Sequence, residues 1–327
     1  MDEMKVKTRV VGVDLSLDYT VCAIVDIRGT IIAKNSFATS DYPDVNNYVS
    51  VLYEKIIKLA EENGGIDTIR SVGISAPSAN FKTNCIENAS NLPWKGVVPL
   101  AAMLRDRLGL AVAVANDGHV TALGEQAFGS AHGMKDFIVI STGQGGVGSS
   151  IFTNGRPHLG ANGFSGELGH TCVIENGRQC GCGKKGCLET YVSILGIVQT
   201  ARDLVSESDE PSLIRNIDNL NIQSFVLCCQ KGDALALEAV HRAGKVLGRA
   251  LANYASIFNP EAIILTGDIL LVTEWIMPSV REAIEENVFH NLRGKVRVLA
   301  SLLDNDNRTV LGASALAWDV KEYSLFI

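Results

Sequence analysis

At 327 residues the chain is longer than one hydrophobic core usually fills, so two domains are expected. A net charge of −7 excludes a nucleic-acid surface, which needs a concentrated basic patch, and no run of eighteen apolar residues marks a membrane span. The start MDEMKVKTRV has no apolar stretch before a cleavage site, which argues against a secretory signal and for a cytoplasmic protein.

In chain order, the β-branched runs 10–15, 21–27 and 30–35 predict a β-meander, with Arg28-Gly29 as the second turn. Val45, Tyr48, Val49, Leu52, Ile56 and Leu59 fall on one face of a helix over 45–62 that stops at Asn63-Gly64-Gly65. A buried strand at 69–75, a helix at 99–108, a strand at 111–115 and a helix at 118–128 follow. Strands at 137–141 and 147–153 then flank a glycine-rich turn. Further on, Val240, Ala243, Leu247, Leu251, Tyr254 and Phe258 recur at helical spacing, and Asn259-Pro260 ends that helix. A strand at 263–265, a helix at 274–287, a strand at 296–300 and a helix at 310–318 complete the chain. The repeated order of strands and helices predicts two related α/β halves joined by short crossings, with a hinged cleft.

Cysteine usage narrows the chemistry. His170, Cys180, Cys182 and Cys187 lie within 18 residues, with glycines at 181, 183 and 186 that let a short loop fold back on itself. Three thiols make a poor disulfide framework, whereas three sulfurs and one imidazole suit a closed tetrahedral zinc site. Cys22, Cys85, Cys172, Cys228 and Cys229 show no ligand spacing and are expected to be small buried hydrophobes. Glu167 and Glu189 flank the knot, so a metal there would fix two carboxylates and an imidazole along one surface.

Asn116-Asp117 directly follows the strand at 111–115 and opens a helix, so a carboxylate stands at the carboxyl end of a strand, where α/β folds bind ligands. A helix cap is the competing explanation for the same pair. Asn88-Ala-Ser-Asn91-Leu-Pro-Trp94 reads as a polar loop carrying one exposed aromatic.

Together with Ala122-Leu-Gly-Glu125, the run from Gly160-Ala-Asn-Gly163 to Gly166-Glu167-Leu-Gly-His170, and Cys180-x-Cys182-Gly-x-x-Gly-Cys187-Leu-Glu189, this set resembles the ROK family over residues 9 to 318. That family unites repressors, open reading frames and sugar kinases on an actin/hexokinase-like fold. The resemblance implies two ribonuclease H-like α/β domains flanking a cleft, here 1–118 with 307–327 and 119–306, the second carrying the zinc-binding loop. It implies Asp117 as general base, Asn91, Asn116, Glu167, His170 and Glu189 as holders of sugar hydroxyls, and zinc on His170, Cys180, Cys182 and Cys187. It further implies ATP with magnesium, nucleotide contacts at Asp14, Gly143, Gly145, Gly146 and Gly267, and a homodimer.

The match is uneven. Where the family's first phosphate loop reads Asp-x-Gly-Gly-Thr-Lys, this chain has Asp14-Leu15-Ser16-Leu17-Asp18-Tyr19, without either glycine or the lysine. The second loop, Ser141 to Ser150, keeps its glycines but is offset by about one residue from the family's pattern, and Gly267-Asp268 stands for a Gly-Gly pair. The leading reading is an ATP-dependent kinase for a hexose or N-acetylhexosamine hydroxyl; the alternative is a sugar-binding regulatory protein with impaired catalysis. No DNA-binding form is expected, because the first fold strand begins near Val10 and leaves no room for a helix-turn-helix before it.

Overall fold

The computed structural model describes residues 7–89, 92–143 and 146–320. The chain divides into two compact units: residues 1–133, 159–165 and 302–327 form the first, and residues 134–158 and 166–301 the second.

The first unit is built on a five-stranded sheet. Strands β1 (Arg9–Leu15), β2 (Tyr19–Asp26) and β3 (Ile31–Ala38) form an antiparallel meander. Helix α1 (Val45–Glu61), capped by the Asp44 side chain on the Asn47 N–H, crosses to β4 (Ile69–Ser75), which pairs parallel to β1. Short strands β5 (Ala79–Asn80), β6 (Cys85–Glu87) and β7 (Val97–Val98) make a small separate sheet. Helix α2 (Leu100–Leu108) ends on Gly109 in the left-handed conformation and leads into β8 (Ala111–Ala115), parallel to β4. Helix α3 (Asp117–Phe128) follows directly.

Val11, Val13 and Leu15 face the core shared with α1 and α2. Period-two alternation sends Val10 to the opposite face, with Gly12 and Asp14 in step.

The second unit repeats the plan. Strands β9 (Phe137–Thr142), β10 (Val147–Thr153) and β11 (Arg156–Pro157) form an antiparallel meander. The cysteine-rich loop follows, then α4 (Glu189–Val192), α5 (Ile194–Glu207), α6 (Ile222–Gln230) and the long α7 (Ala234–Phe258). Strand β12 (Ala262–Gly267) adds parallel to β9, and α8 (Thr273–Asn287) leads to β13 (Arg297–Ala300), parallel to β12. The strand order β11-β10-β9-β12-β13 mirrors β3-β2-β1-β4-β8, so the two sheets share one topology. Glycines 244 and 248 on α7 let the backbone of α8 approach, because a Cβ at either would meet a carbonyl of α8.

The last helix, α9 (Arg308–Asp319), returns to the first unit. It lies against β1 and β4 where Gly12 and Gly73 leave no side chain: a Cβ at Gly12 would stand 2.2 Å from the Val310 carbonyl oxygen, and one at Gly73 2.1 Å from that of Ala313. Gly124 of α3 and Gly312 of α9 meet in the same way. This packing places α3 wholly in the first unit, so the division differs from a boundary drawn at residue 118.

Three sequence expectations change. Trp94 is buried rather than exposed, its ring 4.6 Å from that of Tyr48 and its Nε1–H directed to the Tyr42 carbonyl. Cys172 is exposed and Cys85 half-buried, whereas Cys22, Cys228 and Cys229 are buried as expected. Helices α5 and α6 lie in a stretch expected to be helical but given no bounds from the sequence, although Ile194, Ile197, Val198, Ala201 and Leu204 of α5 carry a clear helical spacing. Among the described residues, no helix is long and apolar enough to cross a membrane.

Candidate active site and metal centre

In the first unit, two carboxylates stand at the carboxyl ends of parallel strands. Asp14 is the penultimate residue of β1, and Asp117 follows β8 by two residues as the first residue of α3. Asn116 caps that helix: its Oδ1 accepts from the Gly118 N–H at 2.9 Å, and Asp117 Oδ1 accepts from the same N–H at 2.8 Å. The cap explains Asn116 Oδ1, and the side-chain amide donates to the Asp117 carboxylate. Desolvation of the carboxyl raises the Asp117 pKa, opposed by the Gly118 N–H and by Asn116, although the residue as a whole is exposed. A carboxylate with a raised pKa is a stronger base than a free one.

Asp14 is pushed up to about 6, first by burial and then by the charge of Asp117. A hydrogen bond from Thr309 and the charge of Arg308, both in the first turn of α9, act in the opposite direction. Neither residue was singled out from the sequence, because nothing in the run Asp304–Arg308 announces a partner near residue 14.

The turn between β1 and β2 closes on itself. Ser16 N–H and Oγ–H both donate to the Tyr19 carbonyl, at 3.1 and 2.7 Å, and Leu17 and Tyr19 are exposed. In the second unit, the Gly143 N–H donates to the Gly146 carbonyl at 3.0 Å. Gly267 is explained by packing, since a Cβ there would stand 2.1 Å from the Thr142 carbonyl oxygen. Asn91 and Gly145 lie outside the described residues.

The knot does assemble in space. One donor atom each from His170, Cys180, Cys182 and Cys187 lie within 4.8 Å of one another. Cys182 Sγ and Cys187 Sγ are 3.7 Å apart, and His170 Nδ1 and Cys180 Sγ 3.6 Å. A tetrahedron with metal–sulfur bonds of about 2.3 Å separates its donors by roughly 3.5–3.8 Å, so the set suits zinc. Nδ1 is the nitrogen that faces the sulfurs, which leaves Nε2 to carry the proton outward. The Cys182 thiol is drawn down to about 7, chiefly by the Lys184 N–H, toward the thiolate a metal needs.

Glu189 opens α4 beside this cluster, with Oε1 2.9 Å from Cys180 Sγ and 3.5 Å from His170 Nδ1. Glu167 is exposed and precedes the single turn Leu168–His170. Two residues missed in the sequence hold these elements. The buried Tyr254 hydroxyl of α7 donates to the Leu168 carbonyl at 3.0 Å and contacts Thr171 Oγ1. The Arg178 guanidinium donates to the Thr190 and Gly196 carbonyls, both at 2.9 Å, and pairs with Asp203 at 2.7 Å. Tyr254 was read only as a core position, and arginine spacing carries no comparable signal.

A profile of the ROK family matches residues 10–320. The chain belongs to the ROK family. The sequence is 30% identical over 318 residues to a glucokinase of Halalkalibacterium halodurans, covering 95% of this chain and 94% of that protein. It is 28% identical to a xylose repressor of Bacillus spizizenii, over 94% of this chain and 76% of the repressor. Among solved structures, a ROK family glucokinase from Streptomyces griseus in complex with glucose and AMPPNP aligns with a TM-score of 0.77 at 28% identity, covering 95% of this chain and 100% of that one. This ROK protein thus has both kinases and repressors among its relatives, and its fold is that of the ROK sugar kinases.

Proposed function

We propose that this ROK protein is an ATP-dependent kinase for a hexose or N-acetylhexosamine. The observation that carries the reading is Asp117: a carboxylate of raised pKa just beyond the carboxyl end of the parallel strand β8, held by the cap geometry of its own helix. As the bond from the sugar oxygen to the γ-phosphorus forms and the bond to ADP breaks, the hydroxyl becomes acidic and Asp117 takes its proton. Asn116, Glu167, His170 and Glu189, with Asn91, are assigned to the sugar's hydroxyls. His170, Cys180, Cys182 and Cys187 would hold a structural zinc, which would fix the imidazole tautomer and stay outside phosphoryl transfer. Magnesium would enter with ATP to offset phosphate charge. The glucokinase relative and the glucokinase aligned with glucose and AMPPNP support the sugar and nucleotide classes.

The test is coupled ADP release across a panel of hexoses and N-acetylhexosamines, with wild type and Asp117→Asn. Loss of the base should lower kcat by about 10²–10⁴-fold. Equal rates in the two proteins would rule out this role.

A second reading, a sugar-responsive regulator with impaired catalysis, draws on the β1–β2 turn. That turn spends its backbone on the Ser16–Tyr19 hydrogen bonds and lacks the glycines that let N–H groups approach phosphate. Calorimetric titration showing sugar binding without ATP binding at millimolar nucleotide would favour it.

A further inference from the structure

Arg308 occupies a position that helix electrostatics disfavours. It is the first residue of α9, at the positive end of the helix dipole, and no acidic residue stands in that first turn. The N-cap residue Asn307 supplies no side-chain cap. A cation placed against a helix N-terminus costs stability unless something anionic meets it, and local violations of this kind concentrate where ligands bind.

The charge of Arg308 acts on the carboxyl of Asp14. Its neighbour Thr309 hydrogen-bonds that carboxylate, and the Arg308 charge lies within reach of it. The arrangement is fixed by packing rather than by side-chain choice. Gly12 lies two residues before Asp14 on the same face of β1, and the Val310 carbonyl and Ser314 N–H sit where its side chain would be. The first turn of α9 is therefore held over the carboxyl end of β1. The guanidinium is also steered by Asn305, whose Oδ1 accepts from Nη1 at 2.7 Å.

The corner thus holds two carboxylates, Asp14 and Asp117, each raising the cost of bringing in a further anion. A nucleoside triphosphate is such an anion, and the β1–β2 turn offers it neither glycine N–H groups nor a lysine. We propose that Arg308 is the phosphate-binding cation of this chain, its guanidinium contacting the phosphates of a nucleoside triphosphate that approaches the carboxyl end of β1. Arginine suits the task because its planar fork presents paired donors to phosphate oxygens and stays charged at every working pH. Asn305 holds the fork through Nη1, and the Arg308 charge acts on the Asp14 carboxyl beside it. This inference rests on the kinase reading above and assigns the residue by which that site takes its donor.

The experiment is calorimetric titration of wild type, Arg308→Gln and Arg308→Lys with magnesium-ATP, with adenosine and with glucose, after circular dichroism and thermal melts confirm folding. Glutamine keeps most of the aliphatic stem, so packing of the first turn is retained. The expected result is a loss of ATP affinity of about 10- to 100-fold in Arg308→Gln, the range for a hydrogen bond to a charged group. Arg308→Lys should lie between the two. Adenosine and glucose affinities should stay within twofold of wild type, which a merely structural role for Arg308 would not predict. Wild type that binds ATP while Arg308→Gln binds it equally well would overturn the assignment and leave the kinase reading standing. Wild type that binds no ATP at millimolar concentration would overturn both.

Discussion

Cys180 Sγ lies 2.9 Å from Glu189 Oε1 and gives its thiol hydrogen to that carboxylate. The thiol pKa is raised, first by burial and then by Glu189. Zinc coordination would require Cys180 as the thiolate, which would free Glu189 of this hydrogen bond. Under the proposed function, metal binding at Cys180 and the freedom of Glu189 to meet a sugar hydroxyl would be linked through one hydrogen bond.

The first prediction follows from that link. Protein as purified should carry one equivalent of zinc, and stripping it with a strong chelator should weaken glucose binding by about 10–100-fold, the usual effect of disturbing a ligand's supporting partners. Adding zinc back should restore the affinity. Elemental analysis and glucose titrations before and after chelation measure both halves. Unchanged sugar affinity in verified metal-free protein would show that the cluster does not position the carboxylate.

Much of this was legible in the sequence, for a physical reason. Core-facing positions repeat with the period of their element, so Tyr48, Val49, Leu52 and Ile56 declare α1, and Leu247 and Leu251 declare α7. The knot was legible because its ligands are close in sequence and chemically distinctive. What escaped was long-range. Asp14 and Arg308 lie at opposite ends of the chain, and only the passage of α9 over Gly12 brings them together. Trp94 misled because a polar loop was taken to expose its aromatic, whereas the ring fills a space beside Tyr48. Asn116 shows the same limit, since capping and sugar binding ask for the same residue type and only geometry shows that the cap takes Oδ1.

Asp14 gives the second prediction. Its pKa stands near 6 against an ordinary 3.8, raised first by burial and then by Asp117. A carboxyl raised in the native state binds its proton more tightly there than in the unfolded chain. Native stability from this group is thus fully present below about pH 4 and lost as pH rises through about 6. The displacement corresponds to up to about 3 kcal/mol. Asp14→Asn cannot ionise, so it should exceed wild type in stability at pH 7.5 by up to that amount, and the gap should close by pH 3.5. Thermal midpoints of ligand-free protein at the two pH values read the difference. An equal gap at both would mean that the carboxyl is not strained by its surroundings.

The last prediction concerns the packing that sets the corner. At Gly12 an added methyl would stand 2.2 Å from the Val310 carbonyl oxygen and 2.9 Å from the Ser314 nitrogen. Both are backbone atoms, so no side chain can swing aside and α9 itself must move. Overpacking of this kind costs about 1–3 kcal/mol, and the backbone contact puts Gly12→Ala at the upper end. The displacement would also carry Arg308 and Thr309 away from Asp14, so the Asp14 pKa should shift with the fold otherwise intact. A fair control is Gly143→Ala, where a Cβ meets nothing within 4 Å and stability should stay within about 0.5 kcal/mol of wild type. Denaturation midpoints for the three proteins, with carboxyl titration followed by NMR, test the claim. If Gly12→Ala melts with wild type and titrates like it, α9 is not held over β1 by the missing side chain.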